Sequence, residues 1–226
     1  MRARQWLGSL VLAIAALTVP AAAGAAGPRL GEFRTKGVEL AQEGGTMRVS
    51  LPRQHWQDPA REALADRDFM AWLPVDFHDG VIEAEVKGEL APDAPAFARG
   101  FVGLAFRHDG RRFESIYLRP TNGVADDQVR RNHAVQYAAF PDFRFDRLRR
   151  ESPERYETAA DIAPGRWVHM RIEVSGSTAK LFLDHRANPV LIVNDLKLGP
   201  DQRGGVGLWI ETATIAHFRK LRITHR

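Results

Sequence analysis

The chain contains no cysteine among its 226 residues. That absence excludes disulfide staples, thiol nucleophiles, thiolate zinc sites and iron–sulfur clusters. It leaves the compartment open, because disulfides are common but not obligatory outside the cytoplasm. Strong charge of one sign is also missing: 32 Lys and Arg face 28 Asp and Glu, for a formal charge of +4. Nucleic-acid binding needs a clustered basic face, and none is visible, so no nucleic-acid partner is expected. The densest basic run, Arg144 to Arg155, alternates Arg with Asp and Glu and reads as a solvated, salt-bridged turn or short helix. The sequence has no G-x-S-x-G, H-E-x-x-H or phosphate-loop motif. It also lacks a repeat of fixed period.

Long apolar runs are scarce as well. The one at the N-terminus, Trp6 to Val19, follows Arg2 and Arg4 and ends at Pro20, after which small residues continue to Ala26. A positive start, an apolar middle and an A-x-A-type end form the three-part pattern of a secretory signal peptide. Cleavage after Ala23, Ala25 or Ala26 fits it, and residues 1–25 are assigned to the signal. The run falls short of the ~20 residues needed to cross a bilayer. The protein is therefore expected to be exported, to periplasm or medium, with no membrane span after cleavage. Residues 26–226 are expected to form one domain, long enough to bury about 70% of its unfolded surface without staples.

What is present is a period of two. Val81 to Val86 places Ile82, Ala84 and Val86 on one side and Glu83 and Glu85 on the other. The same alternation runs through Phe101–Arg107, Phe113–Arg119, His133–Tyr137, Trp167–Val174, Ala179–Leu183, Val206–Glu211 and Phe218–Ile223. Turn signals such as His108-Asp109-Gly110, Ala163-Pro164-Gly165 and Arg203-Gly204-Gly205 separate the runs. Many short strands without alternating long helices indicate an all-β antiparallel sandwich or barrel. Residues 54–67 are richer in helix formers, and a short helix or irregular excursion is expected there.

Several of these segments together resemble one superfamily: F-H-D-G-V-I-E-A-E-V at 77–86, F-V-G-L-A-F-R at 101–107, F-E-S-I-Y-L-R-P-T-N-G at 113–123, R-R-N-H-A-V-Q-Y at 130–137, G-R-W-V-H-M-R-I-E-V at 165–174, A-K-L-F-L-D at 179–184 and G-G-V-G-L-W-I at 204–210. The sequence is similar to concanavalin A-like lectins and glucanases, within which it looks most like laminin-G-like and 3-keto-disaccharide hydrolase-type domains. The resemblance implies a jelly-roll β-sandwich of two antiparallel sheets and a carbohydrate ligand. It does not fix an activity, since lectins, glucanases, lyases and plain interaction modules share the fold. Retaining glucanases of this superfamily carry E-x-D-x-x-E or E-x-D-x-E on one strand. The closest stretch here, Glu83-Ala84-Glu85-Val86-Lys87, lacks the third carboxylate. Glu83 and Glu85 lie two residues apart on one strand face, ~6.6 Å between Cα atoms. That spacing permits a carboxylate pair, and a solvated outer face explains it equally. No cofactor is required. The laminin-G-like resemblance implies a calcium option at Asp126, Asp127 and Asp184.

A second cluster carries the ligand expectation. Arg107, Tyr117, Arg119, His133 and Tyr137 occupy alternate positions of three successive strands and would share one face if those strands are neighbours. Aromatic rings beside forked guanidinium donors suit a sugar ring, and several Arg favour an acidic sugar or another anion. Asn122, Arg131 and Gln136 are expected to contribute hydrogen bonds, and Trp209 a stacking platform. His133 is the neutral-pH acid–base candidate, with Tyr137, Glu83 and Glu85 as further catalytic candidates. Glu114, of opposite parity to Tyr117, is expected to pair with an Arg. These residues point to carbohydrate binding or processing, a glycoside hydrolase or lyase-like reaction being the enzymatic version. A structural or protein-interaction module of the cell envelope is the alternative.

Overall fold

The computed structural model describes residues 27–226, so the segment assigned to an export signal lies outside the described residues. Fourteen strands form among them: β1 (Arg34–Lys36), β2 (Glu39–Glu43), β3 (Thr46–Ser50), β4 (Met70–Phe77), β5 (Gly80–Leu90), β6 (Val102–His108), β7 (Phe113–Leu118), β8 (Val135–Phe140), β9 (Glu157–Thr158), β10 (Val168–Ser175), β11 (Thr178–Leu183), β12 (Leu191–Val193), β13 (Gly204–Ile210) and β14 (Thr214–His225). Three short helices join them: α1 (Pro120–Gly123), α2 (Gln128–Asn132) and α3 (Phe145–Glu151). The strands make two seven-stranded sheets, ordered β1-β4-β13-β6-β7-β8-β9 and β12-β11-β10-β5-β14-β3-β2. Every pairing is antiparallel. The result is the expected jelly-roll-like sandwich.

The core lies between the sheets and follows the alternation in the sequence. Ile82, Ala84 and Val86 from β5 meet Met170, Ile172 and Val174 from β10 and Leu104, Ile116 and Leu208 from the opposite sheet. Burying a side chain of this size contributes about 1.5–3 kcal/mol. The outer face of the second sheet is polar, as Glu83 and Glu85 foretell. The first sheet differs, because its outer face is also buried. Met70, Ala105, Phe113, Tyr117, Ala138 and Trp209 form a second apolar cluster there. Covering chain explains the burial. The excursion between β3 and β4 has one 3-10 turn at Arg53–His55 and is otherwise irregular. It crosses this face, and its Arg67 carbonyl accepts the Trp209 indole N–H at 2.7 Å.

Register decides which side chains reach that covered face. Tyr117 pairs with Gln136, and Ile116 pairs with Tyr137. Tyr137 therefore belongs to the core between the sheets, not to the face of Tyr117. Arg107 also leaves it, since the β6–β13 register shifts beside it and its φ is 56°. The single face proposed for Arg107, Tyr117, Arg119, His133 and Tyr137 is corrected on these two points.

Gly103 on β6 is where the face is closest to overfilled. A Cβ there would stand 2.3 Å from Tyr117 Cβ and 2.6 Å from the Ile116 carbonyl. Gly103→Ala is expected to cost about 1–3 kcal/mol by overpacking, read as a lower midpoint in urea unfolding. An unchanged midpoint would show that β6 and β7 can separate freely.

Candidate functional site

The covered face is not filled evenly. A cavity of about 250 Å³ opens where the β3–β4 excursion, the β5–β6 connection, α1, α2 and α3 converge on β7 and the end of β13. It is close to the lower end of the usual 300–1,000 Å³ for small-molecule sites, a size suited to one ring-sized group. Phe97, Phe101 and Phe145 supply flat apolar surface. Gln57, Asp66, Arg119, Asn122, Glu211 and Thr212 form its buried polar wall, and Arg99, Arg130, His133 and Arg149 stand nearer solvent.

Asp66 anchors the wall. Its Oδ1 accepts the Tyr117 hydroxyl at 2.7 Å, and its Oδ2 accepts the Phe145 backbone N–H at 2.9 Å. One carboxyl thus ties the excursion to β7 and to the start of α3. Tyr117 in turn accepts from Arg119 Nη2 at 3.0 Å. Burial pushes the Asp66 carboxyl above its ordinary range, opposed first by Arg119, and it also pushes the Tyr117 phenol well up. Arg119 is fixed further by the His133 carbonyl at 3.1 Å and Gln136 Oε1 at 3.3 Å. Glu211, the other acidic wall residue, is held by Arg67 and by the backbone N–H and hydroxyl of Thr212.

Charge in the cavity is unbalanced. Four guanidiniums, of Arg99, Arg119, Arg130 and Arg149, face the two carboxyls of Asp66 and Glu211. Arg149 is taken by Glu157 through Nε at 3.0 Å and Nη2 at 2.7 Å. Arg99 bonds only the Ala96 and Ala98 carbonyls, and among the described residues neither Arg99 nor Arg130 has an acidic partner. Burial, then Arg130 and Arg119, pull the Arg99 guanidinium below its ordinary value, though an Arg stays charged at neutral pH. His133 caps α2, its Nδ1 standing 2.8 Å from Glu157 Oε2 at ion-pair distance without hydrogen-bond alignment. Burial lowers its pKa, with Glu157 opposing and Arg149 and Arg119 adding to the decrease.

The residues singled out from sequence divide accordingly. Arg119, Asn122 and His133 line the cavity. Tyr117 and Gln136 stand behind Arg119 and position it. Trp209 is fully buried under Tyr117, ring centroids 4.5 Å apart, so it supports the wall and offers no stacking surface. Arg131 is exposed and bonds the Ala125 carbonyl at 3.4 Å, outside the cavity wall.

The others lie elsewhere. Arg107 is fully buried and donates to the His78, Gly199 and Gly176 carbonyls and to Asp79, stapling three connections together. Tyr137 donates to Glu114 at 3.0 Å and accepts the Lys197 backbone N–H at 2.8 Å. Glu114 therefore has a Tyr and the Leu198 N–H as partners where an Arg was expected. Glu83 and Glu85 face outward from the other sheet, Glu85 held by Lys220 and Arg219, which keep its carboxyl below the usual range. They share no cavity with His133. Asp127 caps α2, and Asp184 holds the His169 N–H and Arg166. The sequence reading missed Asp66, Arg99, Arg130 and Arg149, which reach the site from loops and short helices whose positions no strand period reports.

No protein-family model and no curated protein matches this sequence. Solved structures do match in fold. Carbohydrate-binding module CBM66 from Bacillus subtilis aligns with a TM-score of 0.55 at 14% identity, over 84% of this chain and 93% of that one. A Bacillus subtilis protein of unknown function with a galectin-like fold aligns at 0.54 and 14% identity, over 87% and 91%. A functionally unknown protein from Saccharomyces cerevisiae aligns at 0.52 and 13% identity, over 88% and 99%. The fold is thus a jelly-roll-like β-sandwich shared with a carbohydrate-binding module and with a protein of galectin-like fold; at such identities the likeness is one of fold.

Removing Asp66 should loosen the wall. Asp66→Ala would leave the buried Tyr117 O–H and the part-buried Phe145 N–H without acceptors, at about 1–3 kcal/mol each. The expected result is a matching loss of unfolding free energy with native-like far-UV dichroism. A loss within measurement error would mean water replaces the carboxyl at no cost.

Glu114 gives a pH-dependent check on the core. Burial raises its pKa from the ordinary 4.5 to about 7, against hydrogen bonds from Leu198 and Tyr137 that lower it. A raised carboxyl pKa means the unfolded chain loses its proton first. Stability contributed by this group is therefore present below pH 4.5, falls as pH rises, and is gone above about 7. At about 1.4 kcal/mol per pH unit the span is up to about 3 kcal/mol. The unfolding midpoint of Glu114→Gln, measured from pH 4.5 to 8, should gain on the wild type across that window. Parallel curves would contradict the assignment.

Proposed function

We propose that this chain is an exported carbohydrate-binding domain that takes an acidic sugar in the cavity bounded by Asp66, Arg119, Asn122 and Phe145. The observation that carries the reading is the pair Arg99 and Arg130, charged and, among the described residues, without acidic partners beside three Phe rings. A guanidinium held near others without a counter-anion is the complement of a carboxylate, which it can grip through two parallel hydrogen bonds. Ring faces supply the apolar half of sugar recognition. The fold likeness to a carbohydrate-binding module supports the sugar, and the three-part N-terminal pattern supports export.

Binding is favoured over hydrolysis by the state of the two carboxyls in the cavity. Asp66 is held by Tyr117 and Phe145, and Glu211 by Arg67 and Thr212. Both are committed to holding the wall, whereas glycoside cleavage needs a pair aimed at the scissile bond.

The mature chain titrated with methyl glycosides of glucuronic and galacturonic acid should bind them at least tenfold more tightly than the matching neutral glucosides and galactosides. The preference should weaken with salt and vanish in Arg99→Ala/Arg130→Ala. Equal binding of acidic and neutral sugars would remove the acidic half of the reading. Failure to bind any sugar would leave an envelope interaction module as the better description.

A further inference from the structure

Among the described residues two buried side-chain atoms of the cavity lining lack a hydrogen-bond partner: His133 Nδ1, which stands against Glu157, and Asn122 Oδ1. Asn122 is 4% exposed. Its backbone is satisfied on both sides, with its N–H on the Arg119 carbonyl and its carbonyl accepting from Ala125. Its side-chain Nδ2 donates to the His133 carbonyl at 3.1 Å. That contact fixes the amide orientation, because a carbonyl oxygen can only accept and so must face the NH₂ end. The other end, Oδ1, is buried and has no hydrogen-bond partner. Gln57, Asp66, Arg119, Glu211 and Thr212 in the same wall all have protein partners.

The two kinds of unfilled group in this cavity differ in what they demand. Arg99 and Arg130 can only donate, so they need an acceptor. Asn122 Oδ1 can only accept, so it needs a donor. Sulfate and a simple carboxylate such as acetate offer acceptors and no donor. A ring that carries a carboxylate and free hydroxyls offers both in one rigid unit.

We infer that Asn122 is a specificity-determining residue that reads one hydroxyl of a polyhydroxy acid whose carboxylate is held by Arg99 and Arg130. This rests on the acidic-sugar reading above and narrows it: the ligand class is a hydroxylated sugar acid, and plain or fully esterified anions are rejected. The selectivity arises because a ligand without the hydroxyl leaves a buried acceptor bare, and sites built to bond a hydroxyl discriminate strongly against its loss.

The test uses the mature chain and a series of methyl glucuronide and galacturonide probes, each lacking one hydroxyl, with sulfate and acetate as comparison anions. Affinities are read by calorimetry for the wild type and Asn122→Ala, after thermal unfolding shows the variant folded. One deoxy position should weaken wild-type binding about ten- to hundredfold, in keeping with one buried acceptor left bare. That penalty should shrink to within about twofold in the variant, and sulfate and acetate should bind far more weakly than either parent sugar. Equal wild-type affinity across the whole deoxy series overturns the role of Asn122 while leaving acidic-sugar binding intact. A penalty that persists unchanged in Asn122→Ala overturns it too, and the wild-type series decides the question alone if the variant does not fold. Absence of uronide binding overturns the acidic-sugar reading itself.

Discussion

The buried carboxyl of Asp66 is the contact on which the site depends. It comes from an irregular excursion, yet it takes hydrogen bonds from Tyr117 on a central strand and from the first residue of α3. It adds to the ties the excursion already makes through the Arg67 carbonyl to Trp209 and the Arg67 side chain to Glu211. Through Tyr117 it is coupled to Arg119, and through Arg119 to the His133 carbonyl that also holds Asn122. A single chain of hydrogen bonds therefore runs from the excursion to the cavity wall. Low local polarity strengthens each link and makes a missing one expensive.

The outer face of the first sheet is closed by the chain itself. Here the rings of Tyr117 and Trp209 are already covered by the chain. Open space remains in the gap left between the covering segments, where side chains from loops and short helices converge. The cavity is small, cationic and ringed by Phe side chains.

Most strands were legible because the alternation of residues such as Ile82, Ala84 and Val86 has one cause, burial of a single sheet face. The covered face was harder to read. Phe101, Phe113, Tyr117 and Trp209 are apolar on the side opposite the main core, which the sequence alone shows only as strands apolar on both sides. The expected face of five residues failed for two physical reasons. A strand's own period says nothing about its register against a neighbour, and Tyr117 is opposite Gln136, one place from Tyr137. A register shift beside Arg107 then sent that side chain toward the turns joining the strands. Asp66, Arg99 and Arg130 carried no local signal, because loops have no period.

The amino-acid order alone determined the short strands of an all-β antiparallel sandwich or barrel, the N-terminal export pattern and an Arg- and aromatic-bearing stretch around residues 101–137. Those properties are local, set by side-chain period, turn residues and composition. Tertiary structure alone decided which Arg are free, which Tyr are buried and which face holds a cavity. Such properties depend on register and on where irregular segments come to rest, and both are fixed by contacts between residues far apart in the chain.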